Sequence, residues 1–129
     1  MPRRQVIKVQ GMGHGANPIP VAVKMGNSIY TGGISPSNPE TGKMAEDAAE
    51  QIAQAFANMK KILDAAGASL DDVVRVDVRL KNLGDHRGLL NDEWVKHFPD
   101  ETNRPVRKTD QAALAGSMLI QMEMIAQTA

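Results

Sequence analysis

The chain of 129 residues contains no cysteine. This absence excludes disulfide bonds, a thiol nucleophile and thiolate metal sites, and it fits a reducing compartment. Aromatic side chains make up 3% of the residues, so the stacking platforms that hold single-stranded nucleic acid are nearly absent. The 15 basic side chains balance 15 acidic ones, whereas nucleic-acid-binding proteins usually carry a basic excess. We therefore expect no nucleic-acid partner.

Long apolar runs are also missing from the chain. No segment approaches the roughly 18 consecutive apolar residues of a membrane span. The basic pair Arg3-Arg4 is not followed by the apolar stretch of about 7–15 residues that a secretory signal needs. We expect no membrane association and a cytoplasmic location. The zero formal net charge leaves little repulsion between copies of the chain, which favours self-association.

Periodic apolar positions predict an α+β fold. The length lies within the roughly 100–200 residues of one domain, and we expect a single domain over residues 1–129, without repeat or linker. Helical spacing of apolar side chains predicts helices at 45–66 and 87–98. Short apolar segments predict strands at 5–10, 21–25, 28–31, 74–80, 105–114 and 118–126. Elements in this order predict a mixed sheet with both helices packed on one face.

Turn-forming residues separate these elements. Gly26-Asn27 predicts a two-residue hairpin turn. The segments 35–42 and 82–85 are rich in turn formers and are predicted to be loops. The glycines within 11–20 are too irregularly spaced for a dinucleotide fingerprint, so we interpret this segment as an exposed loop rather than a phosphate cradle.

Arg107 is the first candidate for chemistry. It lies three residues after Arg104, and in an extended strand that spacing places the two side chains on opposite faces. An inward guanidinium needs an anion, because an unpaired buried charge is costly. A carboxylate ligand fits its planar fork, but the spacing alone favours an ion pair with a carboxylate of the protein.

The last strand carries a second candidate. Met118, Ile120, Met122 and Met124 form one apolar face, while Gln121 and Glu123 lie on the other face between Leu119 and Ile125. Polar side chains that lie between apolar ones on a strand either belong to a functional site or form a hydrogen-bonded structural pair. The pattern favours neither interpretation.

The three histidines lack metal-ligand spacing. We interpret His14, His86 and His97 as surface or capping residues, and we expect no metal site.

A series of motifs, in order along the chain, resembles the RidA/YjgF family of reactive-intermediate deaminases. The resemblance covers nearly the whole chain. The matching stretches are Gly26-Asn27 with IYTGG after it, NPETG at 38–42, AAGASLDDVVRVDVRL at 65–80, NDEWVKHFP at 91–99, RPVR at 104–107 and MEMIA near the end.

This resemblance implies a fold, an assembly and a reaction. It implies a chorismate-mutase-like fold and a homotrimer in which three sheets form a barrel-like centre. One pocket for a small carboxylate-bearing metabolite would lie in each cleft between subunits. The implied reaction is hydrolysis of 2-enamine or 2-imine acids, such as 2-aminoacrylate or 2-iminopropionate, to 2-keto acids and ammonia, without metal or organic cofactor.

Several residues match the family's site. The arginine that clamps the substrate carboxylate falls on Arg107, and Asn91 matches a pocket position. Trp94 lies nearby in place of a smaller aromatic residue. The backbone position that helps to hold the attacking water falls on Thr109.

Other positions depart from the family's pattern. The glutamate on the last strand is Gln121 here, and an amide orients water but cannot accept its proton. Glu123 lies on the same strand face about 6–7 Å away and substitutes only if the pocket extends that far. Ile19 replaces a tyrosine, and the pair Gly32-Gly33 lacks the expected serine. The alternative function is therefore a non-catalytic carboxylate-binding or regulatory module.

Overall fold

A computed structural model describes residues 2–129. It confirms the predicted α+β class, with two helices packed on a mixed sheet of six strands. The elements are β1 (Gln5–Ile7), β2 (Ala22–Met25), β3 (Ser28–Thr31), α1 (Ala48–Ala65), β4 (Val73–Leu80), α2 (Leu83–His97), β5 (Val106–Gln111) and β6 (Ile120–Gln127), with a short 3₁₀ turn at Leu70–Asp72 before β4.

The sheet has the strand order β1-β2-β3-β6-β4-β5. Strands β4 and β5 are parallel, and the other neighbours are antiparallel. Two parallel neighbours need a connection that returns to the starting end of the sheet, and α2 supplies it. Strand β5 therefore forms one edge of the sheet, beside the helix that precedes it.

Helix α1 begins and ends where local chemistry requires. The Asp47 side chain accepts a hydrogen bond from the Glu50 backbone N–H at 3.0 Å, which satisfies one free donor of the first turn. This cap explains why the helix begins at Ala48 rather than at residue 45. Gly67 follows the helix with a φ of 74°, the left-handed conformation common just after a helix end.

The core lies between the sheet and the helices. Alternate residues of β6 are buried, namely Ile120, Met122, Met124 and Ala126. They meet the buried side of α1, which includes Phe56. The methionine face predicted for the last strand is thus core of the same chain, apart from Met118, which is half-buried and precedes the strand.

The start of α2 differs from the prediction. Residues 82–85 are not a loop, because the helix begins at Leu83. The Asn82 carbonyl accepts the backbone N–H of His86 at 3.0 Å, and the Gln111 side chain accepts the N–H of Leu83 at 3.2 Å. A contact from the neighbouring strand β5 therefore supports a first turn that Gly84 disfavours. Strand β1 is also shorter than predicted and ends at Ile7.

The sheet face away from the helices carries an apolar row. The strand register aligns one residue from each of the six strands, and five of the six are apolar or aromatic. The row consists of Val6, Val23, Tyr30, Ile125, Arg75 and Val106. Tyr30 is 44% exposed and Val106 63% exposed, so this row has little cover within one chain.

Within residues 2–129, no helix combines the length and the apolar composition needed to cross a membrane.

The buried amide of Gln51 connects α1 to the segments that precede α1 and β6. Gln51 is fully buried, and its side-chain nitrogen donates to the carbonyls of Ala45 (2.8 Å) and Ser117 (2.9 Å). Its oxygen accepts the N–H of Leu119 at 2.8 Å. These bonds fix the entry into α1 and the entry into β6 against each other.

We expect Gln51→Leu to destabilise the fold. The substitution leaves two carbonyls and one N–H buried without their partner, at about 1–3 kcal/mol for each unsatisfied group. Chemical denaturation should show a loss of about 3 kcal/mol in the free energy of unfolding. The exposed Gln127→Leu on β6 is the matched control and should change it little. Equal stability of the two variants would contradict the anchoring role.

Candidate functional site

Arg107 lies on the edge strand β5 and faces α2. It pairs with Val76, whose side chain is buried under the helices, and paired residues of a sheet share a face. The Arg107 Nη2 donates to Asn91 Oδ1 at 2.7 Å. Its Cζ lies 5.0 Å from the centroid of the Trp94 ring, within the roughly 6 Å of a cation–π contact. Arg107 is half-buried.

Trp94 is a rigid support for this guanidinium. Its side chain is buried and packs edge-on against Phe56, with ring centroids 6.3 Å apart. The Phe98 ring lies 4.6 Å away at a tilt of 52°. Asn91 and Trp94 are three residues apart on α2, a spacing that places both on one helix face. The core therefore determines where the charge of Arg107 lies.

No carboxylate of the described residues pairs directly with Arg107. Within residues 2–129, no Asp or Glu oxygen lies within 4.0 Å of this guanidinium. Burial lowers the pKa of Arg107, and the positive charge of Arg87 lowers it further. Arg87 precedes Asn91 by one helical turn, so both face the same side of α2. The structure thus lacks the ion pair that the spacing favoured, and the group is suited to an anion.

Two neighbours of Arg107 have distinct environments. Thr109 is half-buried and pairs with the buried Val78, so it shares the face of Arg107. Arg104 is exposed and donates to the carbonyls of Phe98 (2.8 Å) and Pro99 (3.4 Å). Arg104 therefore ties the chain before β5 to the end of α2 and takes no part in the Arg107 site.

Gln121 lines a separate pocket of about 370 Å³. A Cβ at Gly33 would lie 2.7 Å from the Gln121 Nε2, and a Cβ at Gly32 would lie 3.4 Å from the His14 Nε2. Gly33 therefore makes room for the Gln121 side chain, whereas a Cβ at Gly32 would be in ordinary van der Waals contact with His14. Other residues lining this pocket include Met12, Ile34, Ser35, Ser37, Asn58 and Met118.

His14 is a pocket residue that the sequence interpretation missed. It lines the pocket together with Gln121, although its position suggested only a loop histidine. No local pattern marks it, and only the fold shows that the N-terminal loop brings its imidazole close to Gly32.

The structure places two other expected residues outside this pocket. Ile19 is 54% exposed and is not among the residues that line it. Glu123 pairs with Asp77 in the sheet register, and its Oε2 lies 3.9 Å from the Arg79 Nη1. Glu123 shares the strand face of Gln121, as predicted, but it lines a different, smaller depression on the sheet.

One chain does not bring Arg107 and Gln121 together. Arg107 pairs with Val76, and Gln121 pairs with Arg79 on the other side of β4. With strands about 4.8 Å apart and a rise of about 3.3 Å per residue, their Cα atoms are separated by about 14 Å. Gln121 alternates with the buried Ile120 and Met122, so its side chain leaves the sheet on the opposite face from Arg107.

Among residues 2–129, no three His, Asp or Glu side chains are grouped so that they could hold a metal ion.

The comparisons with known proteins assign the family. A family model described as endoribonuclease L-PSP matches residues 15–128. The chain belongs to this family, also called RidA/YjgF. A RutC family protein of Pyrococcus abyssi is 40% identical over 111 residues, which are 84% of this chain and 85% of that protein. The resemblance inferred from the motifs is confirmed.

Two further RidA/YjgF relatives carry more specific names. The Escherichia coli K12 protein named 2-iminobutanoate/2-iminopropanoate deaminase is 34% identical over 111 residues, which are 84% of this chain and 86% of that protein. The crystal structure of E. coli TdcF with bound serine matches with a TM-score of 0.87 at 26% identity, covering 97% of this chain and 99% of that one.

We expect Gly33→Ala to move the Gln121 side chain. The added methyl group would lie 2.7 Å from the Gln121 Nε2, and the flexible end of a glutamine is easier to move than the backbone. NMR should show shifted Gln121 side-chain amide resonances. Gly13→Ala is the control in the same pocket, because nothing lies within 4 Å of its added Cβ, and it should leave them in place. Unshifted resonances in Gly33→Ala would contradict this packing.

Proposed function

We propose that the protein is a hydrolytic deaminase of 2-imine and 2-enamine acids, with Arg107 as the clamp for the substrate carboxylate. The observation that carries this proposal is the charge of Arg107, which is half-buried and held by an amide and an aromatic ring rather than by a carboxylate. Its planar fork suits a bidentate carboxylate. The name of the E. coli deaminase and the serine bound to TdcF support a small carboxylate ligand.

The reaction requires the protein mainly to position the substrate and to transfer protons. A protonated imine is already electrophilic, so the enzyme mainly has to orient the acid and supply water. Water adds to the imine carbon, and the tetrahedral intermediate breaks down to a 2-keto acid and ammonia. Asn91 and Trp94 hold the guanidinium in one orientation. The Thr109 backbone and the Gln121 amide would hold the water.

The proposal requires a second copy of the chain. A three-carbon imine acid is far shorter than the separation of about 14 Å between Arg107 and Gln121. A ligand that touches both must lie between two protomers, with Arg107 from one and the Gln121 pocket from the other. The apolar row on the open sheet face, including Tyr30 and Val106, supports burial against neighbouring copies. The assembly we propose is a homotrimer.

A carboxylate-binding module without catalysis is the second candidate. The observation that favours it is Gln121, whose amide cannot act as a general base. This function needs the same Arg107 clamp but no proton transfer. The ribonuclease activity in the family's description is not part of the proposal, because a net charge of zero and 3% aromatic residues suit RNA binding poorly.

We expect Arg107→Ala to reduce deaminase activity by on the order of 100-fold in kcat/KM, because the substrate carboxylate loses a charge-assisted bidentate contact. The assay is ammonia release from 2-iminopropanoate generated enzymatically. Arg107→Lys keeps the charge but loses the fork, and it should recover only part of the rate.

Lys96→Ala is the charge-matched control for this experiment. It removes one positive charge from the exposed side of α2 and should leave kcat/KM unchanged. No acceleration over buffer by the wild-type protein would exclude the deaminase. Thermal stabilisation by pyruvate or serine that disappears in Arg107→Ala would then support the binding module.

We expect Tyr30→Glu to dissociate the trimer. The carboxylate would lie in the centre of the apolar row, where association would bury it without a partner. Light scattering after size-exclusion chromatography should give the mass of a monomer. Val95→Glu is the control, because Val95 is similarly exposed (46%, against 44% for Tyr30) but lies on α2. A trimer that survives Tyr30→Glu would place the interface elsewhere.

A further inference from the structure

We propose that His14 is the proton-transfer residue of the cleft, accepting a proton from the attacking water and delivering it to the leaving ammonia. This inference rests on the proposed deaminase function. Its starting point is the composition of the Gln121 pocket. Among the described residues that line this pocket, His14 is the only one with a titratable side chain. Imidazole is also the side chain best suited to exchange protons near neutral pH.

Backbone hydrogen bonds order the loop that carries His14. The loop between β1 and β2 makes its own hydrogen bonds, from the Met12 N–H to the Val9 carbonyl (3.0 Å) and from the Asn17 N–H to the His14 carbonyl (3.1 Å). Gly32 is held by its N–H, which donates to the Val21 carbonyl at 3.0 Å. The imidazole therefore lies beside Gly32, where an added Cβ would be 3.4 Å from its Nε2, an ordinary van der Waals contact.

The other polar side chains of the pocket are already engaged. Ser35 Oγ donates to Ser37 Oγ at 2.9 Å. Asn58 Nδ2 donates to the carbonyls of both serines at 2.8 Å. Neither His14 nor Gln121 has a side-chain hydrogen bond to any of residues 2–129. These two side chains are thus the ones available to a water or a substrate.

His14 and Gln121 line the same pocket. A Cβ added at Gly32 would meet the His14 imidazole, and a Cβ added at Gly33 would meet the Gln121 amide. An amide in this pocket can orient a water through its oxygen or its N–H groups. The imidazole can then take the proton that the amide cannot. The two residues divide between them a task that one carboxylate could perform.

The proton balance of the step is complete. The water oxygen forms a bond to the carbon of the protonated imine, while the free ring nitrogen of His14 takes one water proton. The imidazolium returns this proton to the substrate nitrogen. The C–N bond then breaks with its electron pair going to nitrogen, and ammonia leaves. The remaining hydroxyl proton passes to ammonia, which gives the 2-keto acid and ammonium.

The decisive variant is His14→Ala in the 129-residue chain. We expect kcat for 2-iminopropanoate to fall by on the order of 100-fold or more, while KM changes little because Arg107 still binds the carboxylate. Free imidazole should restore part of the rate in His14→Ala. It should not do so in Arg107→Ala, where the pocket is intact but the clamp is missing.

A second variant tests the chemistry independently of His14 packing. Adding Gln121→Glu to His14→Ala places a carboxylate in the same pocket and should restore activity without imidazole. Circular dichroism and the oligomeric mass of each variant establish that the fold persists. If His14 only supports the loop, neither free imidazole nor Gln121→Glu should restore activity.

The outcomes separate this inference from the function on which it rests. Wild-type protein without deaminase activity would overturn both. Active wild type with Arg107→Ala impaired and His14→Ala at the wild-type kcat would overturn the role of His14 alone. A folded, slow His14→Ala that neither imidazole nor Gln121→Glu restores would also overturn it.

Discussion

The contact between the Arg107 guanidinium and the Trp94 ring is the interaction on which the candidate site depends. The ring is held by Phe56 and Phe98 in the core, and among residues 2–129 the guanidinium above it has Asn91 as its one hydrogen-bond partner. A half-buried charge with no carboxylate beside it and with the positive charge of Arg87 nearby is an unfavourable arrangement for the free protein. In the proposed function an anionic ligand would relieve it, and the core would hold the charge ready for binding.

The sheet separates this charge from the pocket that would complete the chemistry. Strand β4 lies between β5, which carries Arg107, and β6, which carries Gln121. The same sheet has helices on one face and an apolar row on the other. In the proposed homotrimer, self-association would bury that row and bring Arg107 of one copy to the Gln121 pocket of another.

The fold was largely predictable because its signals are local. Alternation in β4 and β6 and the apolar side of α1 identify the core face of each element without knowledge of its neighbours. The start of α2 was not predictable in this way, since Leu83 depends on an acceptor supplied by Gln111, 28 residues later. The candidate site likewise contains residues that local motifs predicted and residues that only the packing revealed. Arg107 and Asn91 belong to recognisable motifs, whereas His14 lies in a glycine-rich loop that has no periodicity.

The sequence by itself determined the class of fold and the family and predicted Arg107 as the residue for a carboxylate, because periodicity and contiguous motifs carry that information. The tertiary structure alone decided what surrounds these residues. It showed that Arg107 meets an amide instead of a carboxylate, that His14 lies over Gly32, and that Glu123 faces Arg79. Each of these is a contact between segments distant in the chain, and such contacts depend on how strands and loops pack rather than on any local pattern.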